Sequence, residues 1–376
     1  SGGPPQSILM SMPPLGIAGY QRSIAAIRDQ LAPEQFDTIP EIAEPAENPL
    51  LLGHEEAAAH VAAAYRSGRL HHALLLCGPA GIGKATFAFH LAEHLLAHPV
   101  PQDAPPALSP RDPASALFRQ IAQGAHPSVL HLTRPLNEKT KAFKSAVTVD
   151  EIRRIGRFLS MTSHDGSWRV VIVDPADDMN TNAANALLKN LEEPPPRTLF
   201  VLIAHSPGGL LPTIRSRCHL VRLKPLAPDT LLAVLDGLGA GLPERGDARA
   251  ALAARAGGSV REALLLTRYG GLDIAEALAR VVALKDFSVP EAWRVAEAVS
   301  GRDAAVQFSL FNQTALDTIA GWAWRAAADG NLAGAAVLSD LWREAERLTA
   351  ETEIYNLDKR QHVMGLLRRM WQAARA

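Results

Sequence analysis

Cysteine, an excess of one charge and long apolar runs are all missing or scarce in this 376-residue chain. Its only cysteines are Cys77 and Cys218, too few for a four-cysteine metal site or a framework of several disulfides. Two unpaired cysteines in strand-like surroundings fit a reducing cytoplasm, where we expect the protein to work. Lys plus Arg number 38 and Asp plus Glu 39, so the global basic field that drives non-specific nucleic-acid binding is absent, and any DNA contact would be local and shared with partners. No apolar run reaches the length that crosses a bilayer and no signal-peptide pattern opens the chain, so no membrane partner is expected. The length suggests about two to three domains.

What the chain does have is a glycine-rich phosphate-binding loop. Gly78 to Lys84 read Gly-Pro-Ala-Gly-Ile-Gly-Lys. The loop follows the wholly apolar run Ala73-Leu74-Leu75-Leu76-Cys77, the pattern of a strand buried on both faces of a parallel sheet. It precedes Phe87, Leu91, Leu95 and Leu96, which recur at helical spacing. Strand, loop and helix in that order let backbone N–H groups and a helix N-terminus cradle phosphate, so Gly78, Gly81, Gly83, Lys84, Ala85 and Thr86 form a candidate nucleotide site. In a loop built for hydrolysis the residue after the lysine is Ser or Thr, whose hydroxyl ligates Mg²⁺; here it is Ala85. Thr86 comes one residue late, about 100° around the helix. A second apolar run, Val170 to Val173, delivers Asp174, suited to acting on Mg²⁺ through a water. The next residue, where many ATPases carry a Glu that polarises water, is Pro175, which offers no base. Asp177 and Asp178 are expected to open the following helix, where acids suit its dipole. ATP or ADP binding without efficient hydrolysis is the expectation, with no cofactor required and no turnover by this chain alone.

From Asn182 the chain reads Asn-Ala-Ala-Asn-Ala-Leu-Leu-Lys, then Asn-Leu-Glu-Glu-Pro-Pro-Pro through Pro196. Ala184, Leu187, Leu188 and Leu191 make one apolar helix face that the prolines end. A strand candidate, Thr198 to Ala204, follows, then Pro-Thr-Ile-Arg-Ser-Arg-Cys over 212–218 and another strand over His219 to Leu223. This block closely resembles the clamp-loader branch of the AAA+ ATPases, and Leu-Glu-Glu-Pro-Pro with Ser-Arg-Cys is a specific combination. The resemblance runs from about Gly53 to the C-terminus. It takes in His71-His72-Ala73, His126-Pro127 and Gly258-Ser259-Val260-Arg261, where Arg261 occupies the position of the sensor arginine. It implies that Arg217 is an arginine finger given across a subunit interface to a neighbour's ATP; a surface salt bridge is the plainer alternative.

Within that family the departures at Ala85 and Pro175 point away from the motor subunits, tau and gamma, and towards a non-motor subunit of the bacterial DNA polymerase III loader. The implied partners are tau/gamma and delta subunits, with the sliding clamp and primed DNA reached through the assembled complex. Many relatives carry a four-cysteine zinc module after the P-loop helix, but the interval 97–123 holds no cysteine here, so no zinc is expected. His90, His94 and His98, at i, i+4 and i+8, are expected to form a solvated face rather than a metal site.

The fold expected is an α/β P-loop AAA+ core with a small helical lid, followed by an all-α C-terminal collar domain. Residues 1–48, rich in Pro and Glu, read as a flexible extension, with Ser1-Gly2-Gly3 as an expression scar. The core is expected over 49–225, the lid over 226–272 and the collar over 273–376. Helical patterns in the collar run over 290–299, 303–328, 332–349 and 357–374, the last with Val363, Leu366, Leu367, Met370 and Trp371 as an apolar stripe. Two other readings stay open: a working ATPase in which Thr86 and Asp177 or Asp178 fill the missing roles, and a scaffold that neither binds nucleotide nor donates a finger.

Overall fold

A computed structural model describes residues 31–108, 110–161 and 166–375. These form two compact units, 31–262 and 263–375.

The first unit is built on a parallel sheet of β1 (Ala73–Cys77), β2 (Val129–Leu132), β3 (Arg169–Val173), β4 (Thr198–Ala204) and β5 (His219–Arg222), in the order β2-β3-β4-β1-β5. The central strands are apolar along their whole length because both faces are covered. Leu74, Leu76, Val170, Ile172, Leu199, Val201 and Ile203 enter one core, while their neighbours Leu75, Val171, Val173, Phe200 and Leu202 enter the other, the period-2 alternation of a pleated strand. Over the first face lie α1 (Glu55–Arg66), α2 (Lys84–Ala97) and α3 (Ala116–Ala122); Phe87, Leu91 and Leu95 of α2 are fully buried there. Over the second lie α4 (Val149–Ser160), through Ile152, Ile155 and Phe158, and α5 (Thr181–Glu192), through Ala184, Leu187 and Leu191. Each fully buried Val, Leu, Ile or Phe contributes about 1.5–3 kcal/mol. The short helix α6 (Pro212–Arg215) leads into β5. The helices α7 (Pro228–Gly237) and α8 (Gly246–Ala256) follow, and the division between the units falls within the next helix, α9 (Val260–Arg268).

Two expectations need correction. Residues 1–30 of the supposed flexible extension lie outside the described residues, but 31–48 are folded onto the first unit. Ile39, Ile42 and Ala46 are buried, and Pro45–Glu47 form a 3₁₀ turn. Few apolar anchors suffice because polar groups close the segment on itself and on α2. Second, His90 and His94 are buried, at 2% and 4% exposure, and do not form a solvated face. The helix that carries them is covered nearly all round, with the His90 ring hydrogen-bonded to the Asn48 carbonyl at 3.1 Å and His94 edge-on to Tyr65.

The second unit is all-helical: α10 (Gly271–Ala283), α11 (Val289–Val299), α12 (Ala305–Ala328), α13 (Leu332–Ile354) and α14 (Lys359–Ala373). Val363, Leu366, Leu367 and Met370 of α14 are buried against α10 and α11, and Trp371 donates its indole N–H to the Leu284 carbonyl at 2.8 Å. The helix starts at Lys359 rather than Leu357 because Asp358 caps it, accepting the N–H groups of Arg360 and Gln361 at 2.9 and 3.1 Å. Arg369 pairs with Glu344 on the exposed side. Among the described residues no helix is long and apolar enough to cross a membrane.

Candidate nucleotide loop and arginine finger

The loop leaves the C-terminal end of β1 and turns into α2 through Gly81 (φ 74°) and Gly83 (φ 101°), conformations that favour glycine. Gly81 is also pressed against the start of α9: its carbonyl accepts the Val260 N–H at 2.8 Å, and a Cβ added there would stand 2.4 Å from both Arg261 Cβ and Ser259 Oγ. The Ser259 hydroxyl donates to the Ala80 carbonyl at 2.9 Å. Loop and lid are therefore closed directly on each other.

Lys84 is 3% exposed, and its ammonium donates to the loop's own carbonyls, Gly78 O at 2.7 Å and Pro79 O at 2.5 Å. Burial lowers its pKa to about 8, against the pull of Asp174 and Asp177. Ala85, where a Mg²⁺-ligating hydroxyl would stand, packs on the apolar cluster beneath the loop. Thr86 is buried. His54, which the sequence did not single out, braces the loop through a 2.7 Å hydrogen bond between its Nε2 and the Ile82 carbonyl.

Asp174 ends β3, its N–H donating to the Leu132 carbonyl at 2.9 Å. Its pKa is raised to about 7, first by burial and then by Asp37, with Lys84 opposing. Asp177 and Asp178 do not open α5 as expected. They lie in a 3₁₀ turn over Ala176–Asp178, and α5 is capped instead by Asn180, whose side chain accepts the Ala183 N–H at 2.9 Å. Asp177 accepts the N–H groups of His205 and Ser206 at 2.9 and 3.0 Å. Asp178 accepts Arg134 Nε–H at 2.6 Å. Both acids thus have structural employment.

Arg261, which the resemblance places as a sensor arginine, donates to the Asp37 carbonyl and lies 3.7 Å from the Asp37 carboxylate. No sequence signal joins residues 224 positions apart. Gly78, Gly81, Gly83, Lys84, Ala85, Thr86, Asp174 and Arg261 do gather around one loop, but the cations among them already have protein partners. As arranged, the site does not offer Lys84 or Arg261 to a triphosphate.

Arg217 lies elsewhere. The parallel register pairs His219 with Leu74, at the start of β1, whereas the loop begins at Gly78 beyond its end. Four residues of strand, roughly 13 Å, separate these levels, and Arg217 precedes His219. Its side chain is 36% exposed and pairs with Glu192 at 2.8 Å, while Nη1 donates to the Thr213 carbonyl at 2.9 Å. Next to it Cys218 is half-buried, and burial pushes its thiol up to about 12, which makes it a packing residue rather than a nucleophile.

Residues 53–227 match the family model described as DNA polymerase III, delta subunit. DNA polymerase III subunit delta' of Pseudomonas aeruginosa is 39% identical over 212 residues, 56% of this chain and 59% of that protein. Subunit delta' of Escherichia coli is 33% identical over 229 residues, 61% of this chain and 63% of its own. DNA polymerase III subunit gamma/tau of Mycobacterium tuberculosis is 33% identical over 192 residues, 49% of this chain and 30% of its own. The chain thus spans about six tenths of the two delta' proteins and less of the gamma/tau one.

Proposed function

We propose that this chain, whose residues 53–227 match the family described as DNA polymerase III, delta subunit, works as a non-motor, delta-prime-type clamp-loader subunit. In this reading it joins tau/gamma and delta subunits to load the sliding clamp onto primed DNA, meeting clamp and DNA through the assembled complex. It supplies Arg217 to the ATP of an adjoining motor subunit.

The carrying observation is the position of Arg217 at the opposite end of β1 from this chain's own loop. A guanidinium there has no use for a phosphate near Lys84, so a nucleotide on a neighbour is the fitting target. Glu192 and the Thr213 carbonyl hold the guanidinium at both terminal nitrogens, which lowers the entropy of docking. A γ-phosphate, with more negative charge than Glu192, would take over one side of the fork. Such a finger is worth about 10³–10⁵ in rate. The chain itself has Ala85 and Pro175 at the two positions that hydrolysis needs, so it is assigned no ATPase of its own, and any polymerase activity belongs to the whole complex.

The test is reconstitution with tau/gamma and delta subunits, followed by clamp- and DNA-stimulated ATPase. Loss with Arg217→Ala and none with Lys84→Ala is the expected pattern. Steady turnover by the purified chain alone, abolished by Lys84→Ala, would replace this reading with that of a motor.

A further inference from the structure

The segment between Ala32 and Asn48 reaches the candidate nucleotide site through its tip, where Asp37 meets Arg261. Its base is pinned to α2: the Ala46 carbonyl accepts Arg111 at 2.7 Å, Arg111 pairs with Glu93 of α2, and the Asn48 carbonyl meets His90. Internal bonds close it into a loop. Thr38 Oγ1 accepts the Gln35 N–H at 2.7 Å and donates to the Glu44 carboxylate at 2.5 Å, and Glu47 accepts the N–H groups of Ala32 and Glu44 at 3.0 and 3.1 Å. The tip, Phe36-Asp37, reaches both walls of the site. Arg261 of the lid is bonded to Asp37, and the Arg134 guanidinium stacks 4.3 Å from the Phe36 ring while pairing with Asp178 on the turn that follows Asp174.

The chemistry of the segment is that of a phosphate competitor. Between Ala32 and Asn48 it carries Glu34, Asp37, Glu41, Glu44 and Glu47 and no Lys or Arg. Its negative charge is felt inside the site: Asp37 is, after burial, the largest cause of the raised pKa of Asp174. A polyphosphate approaching Lys84 would meet that field, and would find Arg261 already satisfied by a carbonyl and a carboxylate.

We propose that residues 33–47 form an autoinhibitory strap, in which Asp37 holds Arg261 in place of a nucleotide phosphate and so keeps nucleoside triphosphate out of this chain's own loop. The Asp37–Arg261 ion pair is long and half-exposed, so it adds little stability; the strap acts by occupying the arginine and the approach, and is held by the bonds at its base. This device is independent of Arg217, and failure of the finger assay leaves it standing.

The experiment measures binding of a methylanthraniloyl ATP with Mg²⁺ to the full chain by fluorescence, for wild type, Phe36→Ala/Asp37→Arg and the same double variant with Lys84→Ala. The double variant is expected to bind at least about tenfold more tightly than wild type, and adding Lys84→Ala is expected to abolish the gain. Equal affinities, with unchanged melting temperatures, would overturn the strap. Should the double variant fail to fold, amide hydrogen exchange of the wild type at millimolar Mg-ATP decides. Protection of the loop that comes with faster exchange over 33–44, or no protection at all, agrees with the strap. Protection of the loop with an unchanged strap refutes it.

Discussion

The two ends of β1 carry the same kind of group, a cation in a phosphate-recognition motif, and Lys84 and Arg217 are in opposite states. At the loop end, Lys84 is buried and bonded to its own loop, and Arg261 is held by Asp37. At the other end, Arg217 is a third exposed and held only by a surface carboxylate and one carbonyl. Desolvation makes the Lys84 contacts costly to rearrange. The Arg261–Asp37 and Arg217–Glu192 pairs are both partly exposed and worth at most about 1 kcal/mol; they differ in that Asp37 also gives Arg261 a carbonyl and belongs to a segment bonded to α2. The contrast teaches that a P-loop signature and a finger signature in one chain need not serve one reaction: Lys84 is buried on its own loop, while Arg217, the finger in the proposed function, is partly exposed at the other end of the strand.

The strongest way to break that comparison is to remove each cation in the assembled loader. Arg217→Ala is expected to slow turnover at the adjoining site about 10³-fold or more. Arg217→Lys should recover little, since a point charge cannot reproduce the planar fork. Lys84→Ala should leave complex ATPase within about twofold, the level of a residue outside the transition state. A rate loss shared equally by Arg217→Ala and Lys84→Ala would mean that both ends serve turnover.

A second test concerns the closed state of the loop end. Gly81→Ala would force a side chain into a φ of 74° and drive its Cβ to 2.4 Å from Arg261 Cβ and Ser259 Oγ. The expected loss is about 3 kcal/mol of stability, read by denaturant melts. A loss near zero would show that lid and loop part easily, and the contrast with Arg217 would weaken.

The third test uses pH. Glu44 is buried, and its pKa is raised to about 7, chiefly by burial, with Asp37 and Glu47 adding to the rise and Thr38 and Arg261 opposing it. A carboxyl raised in the folded state supports folding fully below its unfolded pKa, near 4.5, and loses that support as pH climbs through about 7. Asp174 runs in the same direction, while the lowered pKa values of His94, His131 and His362 run in the opposite one, so the difference between variants is the clean quantity. Glu44→Gln keeps an acceptor for Thr38 and removes the charge. Its stability relative to wild type should be near zero at pH 4.5 and rise to on the order of 2 kcal/mol by pH 8, measured by melts across that range. A flat difference would mean that Glu44 titrates as if exposed.

How much of this is legible in the sequence follows the range of the forces involved. The sheet strands, the loop and α2 are local patterns, apolar runs and glycines at fixed spacing, and the amino-acid order alone carries them. Ala85 and Pro175 are legible as missing groups. The strap is hidden because a segment of Pro and Glu has the composition of a flexible one, and its order comes from Arg111, His90 and Arg261, none of them near in sequence. The burial of His90 and His94 is hidden for the same reason: the base of the strap meets the first and Tyr65 of α1 the second, both distant in sequence. Asp177 and Asp178 mislead because acids before a helix suit its dipole, yet Asn180 takes the cap and leaves both acids to bond across the turn.

The smallest expected effect sharpens the comparison most finely, because it asks what Glu192 does for Arg217. If the pair were a stabilising bridge, Glu192→Gln would cost measurable stability. With 36% and 49% of the two side chains exposed, we expect a change within about 0.5 kcal/mol in melts. If instead Glu192 only keeps the guanidinium pointed outward, the Thr213 carbonyl still holds Nη1 in the variant, and complex ATPase should fall by less than about tenfold, far short of Arg217→Ala. Restoration of that loss by Glu192→Asp, which returns the charge on a shorter arm, would point to charge pairing. Failure of Glu192→Asp with success of the isosteric Gln would point to geometry, since a carboxamide at the Glu192 length keeps one acceptor in place for Nη2.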